Sequence, residues 1–328
     1  MKFFRIIRSV EWWEYKLPPL LAIGYATALK TDGVFMLAIP QLIILLLALV
    51  IGAVYVSIIN DMTDIEADLA SGKANRMVGI RPEIRWIFPT LCFILGLGFC
   101  AFLYPDQLSI FLYLIPWISF SLYSFRPIRL KNRGIWGVLA DASGSHIFTS
   151  LLMISSISHV TGQTIDWIWF GSTGVWALCY GARGILWHQF HDRENDLQAD
   201  LNTYAVKIDP AHFRKQELSL FCIELMAMTT MLYSLHLILP FLFLLLYLIL
   251  ALIRSNHLSY KPVLIICPEN HPFHILMADF YQVFFPLSLL ITAAFLQPYA
   301  WIILVVHLAL FPQKTITALK DFKSIFSR

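Results

Sequence analysis

The sequence is short of charged residues. Only 14% of its 328 residues are Asp, Glu, Lys or Arg, whereas 58% are hydrophobic, and the mean hydropathy is +0.69. An ordinary globular domain has about 25% charged residues, which solvate its surface. The composition therefore excludes a soluble protein and predicts an integral membrane protein. The net charge of +3 is small, and no nucleic-acid partner is expected.

Clustered cysteines are also missing. The five cysteines stand singly, without a CxxC pair or metal-ligand spacing, and four of them have apolar neighbours. We interpret them as packing thiols rather than as redox centres or metal ligands. The amino terminus likewise lacks the compact apolar core and small-residue cleavage site of a secretory signal, so no cleaved signal peptide is predicted.

Long apolar runs, by contrast, fill most of the chain. About 20 apolar residues suffice to cross the hydrocarbon core of a bilayer, and the runs between polar breaks predict an all-α, polytopic membrane protein with nine transmembrane helices. The predicted spans are 17–30, 34–59, 86–104, 108–124, 135–157, 167–190, 217–234, 236–254 and 275–296, with a possible tenth, short or re-entrant, at 299–312. Pro18 and Pro19 are expected to open the first span, where a missing backbone N–H costs nothing. We expect residues 1–328 to form one transmembrane domain.

The positions of the basic residues predict the orientation. With the amino terminus in the cytoplasm, the Lys and Arg residues between the spans fall on the inner side, and only Lys30 falls outside. The tail after residue 312 is also basic, and it would break this bias if the ninth helix were the last. A tenth segment at 299–312 restores the bias. We therefore predict a multi-pass protein of the cell inner membrane, with its amino terminus facing the cytoplasm.

Acidic residues are gathered in two stretches that directly follow apolar runs. These are "NDMTDIEADL" (60–69) and "HDRENDLQAD" (191–200), and both contain D-x-E-x-D-L, beginning at Asp64 and at Asp192. Each stretch follows an even-numbered span, so both should face the cytoplasm. This repeat indicates two halves of similar topology, about 1–134 and 135–328.

The spacing within the acidic stretches predicts a metal site. A carboxylate at the bilayer centre costs at least about 2.5 kcal/mol, so the stretches should lie at or beyond helix ends. Carboxylates that converge on one cavity repel each other unless a cation neutralises them, and oxygen ligands suit Mg²⁺ with substrate phosphates. We predict as its ligands Asn60, Asp61, Asp64, Asp68, Asp192 and Asp196. The alternative is a pair of solvated loops with ordinary acidic content.

Three motifs together carry a family resemblance. "NDMTDIEAD" (60–68) fits the pattern NDxxDxxxD and is followed by a KxNR stretch at 73–76, "DRENDLQADLNTYAV" begins at Asp192, and "YSFRPIRLKNRG" (123–134) is a tyrosine-containing basic loop. In this order they resemble the UbiA superfamily of intramembrane prenyltransferases, over nearly the whole chain. The sequence departs from the family at Gln189, where many members have Asp, and at Asp200, where Gly is common.

The resemblance implies a fold and a reaction. It implies a UbiA-like helical bundle that binds a prenyl diphosphate with Mg²⁺ and transfers the prenyl group to a lipophilic, aromatic acceptor. Membrane lipid would surround the site, and no obligate protein partner is implied. The residues implied are Asp64, Asp192 and Tyr123 for catalysis, and Lys73, Arg76, Arg129 and Lys131 for diphosphate binding.

Two other functions remain open at this point. A UbiA-type terpene cyclase would ionise the same substrate, but the substrate's own double bond would attack the cation. A non-enzymatic ion-coupled transporter would instead need its decisive charges at the membrane midplane in broken helices. Four charged residues inside the predicted spans also need partners or a cavity-facing position, namely Asp141, Arg183, Glu224 and Asp279. The aromatic residues beside the second acidic stretch are expected to pack rather than to line the site, namely Trp187, Phe190 and Tyr204.

Overall fold

The computed structural model describes residues 9–31, 33–70, 72–198, 200–268 and 270–326. These residues are mostly helical. The helices are α1 (Ser9–Leu29), α2 (Phe35–Thr63), α3 (Ile65–Ala70), α4 (Pro82–Arg85), α5 (Ile87–Leu103), α6 (Gln107–Ser124), α7 (Ile135–Ala142), α8 (Phe148–Val160), α9 (Trp167–His191), α10 (Arg193–Gln198), α11 (Tyr204–Lys207), α12 (Pro210–Leu235), α13 (Leu239–Asn256), α14 (Phe285–Leu296), α15 (Ala300–Leu310) and α16 (Pro312–Lys323). Two π-helical turns, Ser143–Ile147 and Phe280–Phe284, lead directly into α8 and α14.

A short sheet interrupts the helices between α13 and α14. Its strands are β1 (Lys261–Val263) and β2 (Phe273–Ile275), which pair in parallel. Arg183 of α9 donates from Nη2 to the carbonyl oxygen of Leu276, directly after β2, at 2.7 Å. This bond ties the sheet to α9, the helix that ends in the second acidic stretch.

Six helical segments of the described chain are long and apolar enough to cross a membrane. They are α2, Pro82–Leu103 (α4 and α5), α6, Ile135–Val160 (α7 and α8), α12 and α13. A seventh arises if α15 and α16 are counted as one bent span. The predicted number of nine is therefore not confirmed. Helices α1 and α9 are not among the six, although they have 21 and 25 residues.

Helix α1 packs at the centre of the bundle, against α2, α8 and α14. It begins at Ser9, so Pro18 and Pro19 lie in its interior, and the prediction that they open the helix was wrong. Residues 17–29 are all buried. Neighbouring helices therefore surround the backbone carbonyls that the prolines leave without an amide partner, which is how helices in membranes tolerate proline.

The carboxyl-terminal helices return to the start of α1. Helix α15 has 11 residues, a length of about 16 Å at 1.5 Å per residue, which is short of the roughly 30 Å hydrocarbon core, and it meets α16 at an angle of 86°. The Glu14 carboxylate accepts from the backbone N–H groups of Gln313 and Lys314 at 2.9 and 2.8 Å. The basic tail therefore lies at the end of the bundle where α1 begins, as the charge bias predicts.

Three of the four charged residues inside the predicted spans form ion pairs, and Asp141 is the exception among the described residues. Arg183 Nη1 lies 2.5 Å from Glu224 Oε1, and Tyr281 donates to the same oxygen at 2.9 Å. Arg254 pairs with both Asp279 and Asp321. The expectation of structural pairs is confirmed for these residues.

Arg183 provides a test of how much the buried pair stabilises the fold. Both partners are almost completely buried, and removal of one member of a buried pair costs about 3–5 kcal/mol because it leaves an uncompensated charge. We expect Arg183→Met to lower the unfolding midpoint in detergent strongly, and Arg183→Met combined with Glu224→Gln to recover part of the loss. An unchanged midpoint in the single variant would show that the pair contributes little.

Candidate active site at the acidic helix ends

The two acidic stretches have the same local structure. Asp64 caps the carboxyl end of α2, where its backbone N–H bonds to the carbonyl of Asn60 at 3.1 Å, and the six-residue helix α3 follows. Asp192 caps α9 in the same way, with a bond to His188 at 2.9 Å, and α10 follows with six residues. The break at each helix end turns the chain along the end of the bundle. We call the region formed by residues 60–76 and 188–204 the acidic end.

A left-handed turn closes both short helices. Gly72 has φ +70° after α3, and Asp200 has φ +50° after α10. Glycine adopts this conformation without a steric cost and aspartate tolerates it. Asp200 is also exposed, and it was not among the predicted ligands. The turn therefore explains why glycine suits this position of the motif.

Basic residues bind the carboxylates of both stretches. Asp64 Oδ1 contacts Lys131 Nζ and lies 3.0 Å from Arg129 Nη2. Lys73, from the first stretch, reaches across to Asp192 Oδ2 of the second at 3.0 Å. The structure thus brings together Asp64, Asp192 and three of the four predicted diphosphate-binding residues.

Arg76, the fourth predicted basic residue, lies elsewhere in the acidic end. Its Nη1 is 3.5 Å from Oδ2 of Asp61, which is completely buried. Of the predicted metal ligands, only Asn60 lines the cavity described below.

Burial shifts the titration of two groups at the acidic end. It lowers the pKa of the Lys131 ammonium, and the neighbouring Asp64 carboxylate opposes that shift. Burial also raises the pKa of the Asp196 carboxyl, while the hydrogen bond from Thr203, at 3.1 Å, opposes it. The charge of Asp192 raises the pKa of Asp196 further. A cation bound between the two stretches would relieve this repulsion.

Three hydrogen-bonding residues at the acidic end were missing from the predicted site. Ser124 donates to Asn60 Oδ1 at 2.9 Å, and Thr203 holds Asp196. Asn75 donates from Nδ2 to Asp68 Oδ2 at 2.8 Å. Two of them could have been identified from the sequence, because Ser124 directly follows Tyr123 of the basic loop and Asn75 is the Asn of the KxNR stretch.

The basic loop between α6 and α7 contacts both acidic stretches. Its Lys131 binds Asp64, and its Gly134 N–H donates to the carbonyl oxygen of Asn202 at 3.1 Å. Gly137 packs against the same loop, because a Cβ at that position would lie 2.8 Å from the carbonyl oxygen of Leu130. The loop therefore fixes the two stretches relative to each other.

The substituted position Gln189 has a structural role. Its Oε1 accepts from the backbone N–H groups of Tyr204 and Ala205 at 3.1 and 3.4 Å. These bonds hold the first turn of α11. Gln189 therefore supports the segment after the second acidic stretch.

Among the described residues, no three His, Cys, Asp or Glu side chains form a group that could hold a metal alone. The carboxylates stand instead in smaller sets on the two stretches. Mg²⁺ in proteins is usually held by one or two carboxylates together with waters and substrate phosphates. The donor set fits an ion that shares its ligands with a diphosphate rather than a closed protein cage.

A cavity of about 280 Å³ extends from the acidic end into the bundle. Near the acidic end its walls are polar, with Lys16, Asn60, Tyr123, Asp141, Ser145 and His188. Deeper in the bundle the walls are apolar, with Leu20, Ala48, Leu49, Val56, Pro116 and Leu152. The shape and polarity match a molecule with a charged head and a long apolar tail.

The aromatic walls of the cavity come from α1, α2 and α6. They are Trp12, Tyr55, Tyr113, Trp117, Phe120 and Tyr123. Tyr113, Trp117 and Phe120 are spaced so that they lie on one face of α6, and this shared face could have been predicted from the sequence.

The aromatic residues beside the second acidic stretch pack away from the cavity, as expected. Trp187 stacks on His191 at 5.5 Å between centroids, and Phe190 and Tyr204 both pack on Phe213.

Comparison with known proteins identifies the family. The profile of the UbiA prenyltransferase family matches residues 17–264. The chain belongs to this family. The matched range contains both acidic stretches and the basic loop, and the family expected from the sequence motifs is thereby confirmed. As a UbiA family member with several apolar helices, the chain is an integral membrane protein. No curated protein matches the sequence closely enough to be informative.

Solved structures of UbiA homologs share the fold. A UbiA homolog from Archaeoglobus fulgidus bound to DMAPP and Mg²⁺ has a TM-score of 0.58 and 15% identity, covering 95% of this chain and 100% of the homolog. The structure bound to GPP and Mg²⁺ has a TM-score of 0.53 and 15% identity, covering 88% and 97%. Another structure of a UbiA homolog from this organism has a TM-score of 0.56 and 18% identity, covering 88% and 99%. At these identities the similarity shows a UbiA-like fold.

Proposed function

We propose that this UbiA family member transfers a prenyl group from a prenyl diphosphate to a lipophilic acceptor in a Mg²⁺-dependent reaction. The observation that carries the proposal is the cavity, which joins the acidic end to an aromatic and apolar interior. The homologs bound to DMAPP or GPP with Mg²⁺ support the same substrate class and the same ion.

The diphosphate would bind at the acidic end. Asn60, Asp64 and Asp68 on one side and Asp192 and Asp196 on the other are the proposed ligands of Mg²⁺. When bound, the ion neutralises charge on the departing diphosphate. Asp61 was predicted as a further ligand, and this role stays a prediction, since its carboxylate lies against Arg76.

The basic residues would hold the phosphate oxygens. Lys131 and Arg129 now pair with Asp64, and Lys73 pairs with Asp192. When those carboxylates turn to the ion, the same ammonium and guanidinium groups are free to bind the diphosphate, for which arginine supplies a planar fork and lysine a point charge. Arg76 is the fourth member of this set.

The prenyl tail would lie in the cavity. Each buried CH₂ contributes about 0.8 kcal/mol relative to water, and aromatic faces stabilise the allylic cation that forms as the C1–O bond breaks. Tyr123 lines the polar part of the cavity together with Asn60 and Asp141. It is therefore the aromatic residue we assign to the reacting carbon.

The membrane placement follows from the charge distribution. We place the acidic end at the cytoplasmic face of the inner membrane, with nine crossing helices and two related halves, about 1–134 and 135–328. The matching breaks after α2 and α9 support the relation between the halves. The return of α16 to the start of α1 supports one inner side for all basic segments.

Incubation without an acceptor separates a transferase from a terpene cyclase. Purified protein would be supplied with Mg²⁺ and geranyl, farnesyl or geranylgeranyl diphosphate, and the organic extracts analysed by mass spectrometry. We expect no cyclic product, and a prenylated product once a membrane-lipid extract is added. A cyclic hydrocarbon or alcohol would identify a cyclase and overturn the transferase assignment.

A further inference from the structure

The cavity contains one carboxylate that neither acidic stretch supplies. Asp141 lies on α7, one helical turn before Ser145, and both line the polar part of the cavity with Tyr123. Ser145 Oγ is 3.3 Å from Asp141 Oδ1. Asp141 thus faces the region between the diphosphate site and the aromatic walls, where the reacting carbon would lie.

Close packing fixes the backbone on both sides of Asp141 against the basic loop and α6. A Cβ at Gly144 would lie 2.6 Å from the Phe120 ring, and a Cβ at Gly137 would lie 2.9 Å from Lys131 Cα. Asp141 lies between these two contact points, and the π-helical turn Ser143–Ile147 follows directly. Such turns often occur at functional sites. The position of Asp141 is therefore set by backbone packing rather than by a flexible loop.

Asp141 has no ion-pair partner among the residues that the structure describes. Lys16 lines the same cavity but forms no ion pair with Asp141 in the described part of the chain. Arg129 and Lys131 of the basic loop are engaged by Asp64. Ser145 donates a long hydrogen bond, of 3.3 Å, to Oδ1 of the Asp141 carboxylate. A carboxylate inside a membrane span is costly unless it is paired or serves a substrate. Asp141 is thus a cavity carboxylate that neither the metal site nor the fold explains.

The geometry points to Asp141 as the residue that binds a hydroxyl group of the acceptor and takes its proton. This inference rests on the proposed prenyl transfer and names the acceptor class as a lipophilic alcohol or phenol. The C1–O bond of the prenyl diphosphate breaks with its electron pair going to diphosphate. The acceptor oxygen forms the new bond to C1, and its proton passes to the Asp141 carboxylate. The product is a prenyl ether.

Two small nucleophiles test this role without knowledge of the natural acceptor. The full-length protein would be incubated with Mg²⁺ and geranyl diphosphate in the presence of methanol and azide together. Methanol must lose a proton when it attacks, whereas the azide anion has none to lose. The measured quantity is the ratio of geranyl methyl ether to geranyl azide.

We expect Asp141→Asn to lower this ratio by a factor of about 10², the lower end of what general bases contribute, while azide trapping is retained. Asp141→Glu should restore part of the ether. Asp166→Asn is a matched control, because Asp166 caps the opposite end of α9, far in sequence from both stretches. It should leave the ratio unchanged.

Other results would overturn the inference in distinguishable ways. An unchanged ratio in Asp141→Asn, or an equal loss of both products, would show that Asp141 does not take the proton. Mg²⁺-dependent binding of geranyl diphosphate would show whether that variant is folded. If the wild-type protein forms neither product, the proposed prenyl transfer fails first, and the inference fails with it.

Discussion

Asp192→Asn should reduce Mg²⁺-dependent diphosphate release by a factor on the order of 10² to 10³, the usual cost of losing one group that stabilises charge in the transition state. Asp192 lies at the break after α9 and contacts Lys73 of the first stretch. Its side chain is half-exposed, so the substitution should leave the fold intact. Release of diphosphate from geranylgeranyl diphosphate by the purified variant measures the effect.

Substitution of Asp192 tests the site more directly than substitution of Asp64. Lys131 is buried against Asp64, so removal of that carboxylate would also leave a buried ammonium without its partner and would confound activity with stability. Glu194→Gln is the matched control, since Glu194 lies in the same acidic stretch but is exposed. It should keep wild-type activity. Equal activity of Asp192→Asn and Glu194→Gln would refute the site assignment.

Gly52→Phe should shorten the prenyl chain that the protein accepts. Gly52 lines the cavity, and a Cβ there would meet only Trp117, at 3.9 Å. It lies eight residues before Asn60 in α2, a distance of about 12 Å at 1.5 Å per residue. A phenyl ring at this depth would occupy the space of the distal isoprene units. The turnover of geranyl, farnesyl and geranylgeranyl diphosphates measures the selectivity.

The expected size of the effect follows from the buried area. One isoprene unit of five carbons contributes roughly 4 kcal/mol at about 0.8 kcal/mol per buried carbon, or a factor of about 10³ per excluded unit. Gly98→Phe is the control, because Gly98 is exposed in α5 with no atom within 4 Å of an added Cβ. If both variants keep the wild-type preference, the tail does not lie along α2.

The location of the acidic end at the ends of two helices was predictable because its signals are local. Hydrophobic runs mark where α2 and α9 lie, and the repeated D-x-E-x-D-L spacing marks where each ends. The basic residues that pair with Asp64 and Asp192 were also expected at the site, since Lys73 belongs to the KxNR stretch and Arg129 and Lys131 belong to the basic loop. What the sequence could not supply was which cation meets which carboxylate, such as Lys73 with the distant Asp192.

The structural features that were not predicted from the sequence depend on contacts between distant segments of the chain. Pro18 and Pro19 indicate a helix start by local rules, but the surrounding helices allow α1 to begin at Ser9. Which aromatic residues line the cavity and which pack elsewhere likewise depends on which face of α6 meets α2. Asp141 was expected to pair or to face a cavity, and only the packing of Gly144 on Phe120 shows which.

The most direct test of the account is the binding of radiolabelled geranylgeranyl diphosphate to the purified protein with and without Mg²⁺. The account predicts saturable binding that requires the ion, is competed by inorganic diphosphate, and falls at least tenfold in Asp192→Asn, about 1.4 kcal/mol. Equally tight binding after removal of divalent cations, or binding that Asp192→Asn does not weaken, would contradict a shared Mg²⁺ and diphosphate site at the acidic end.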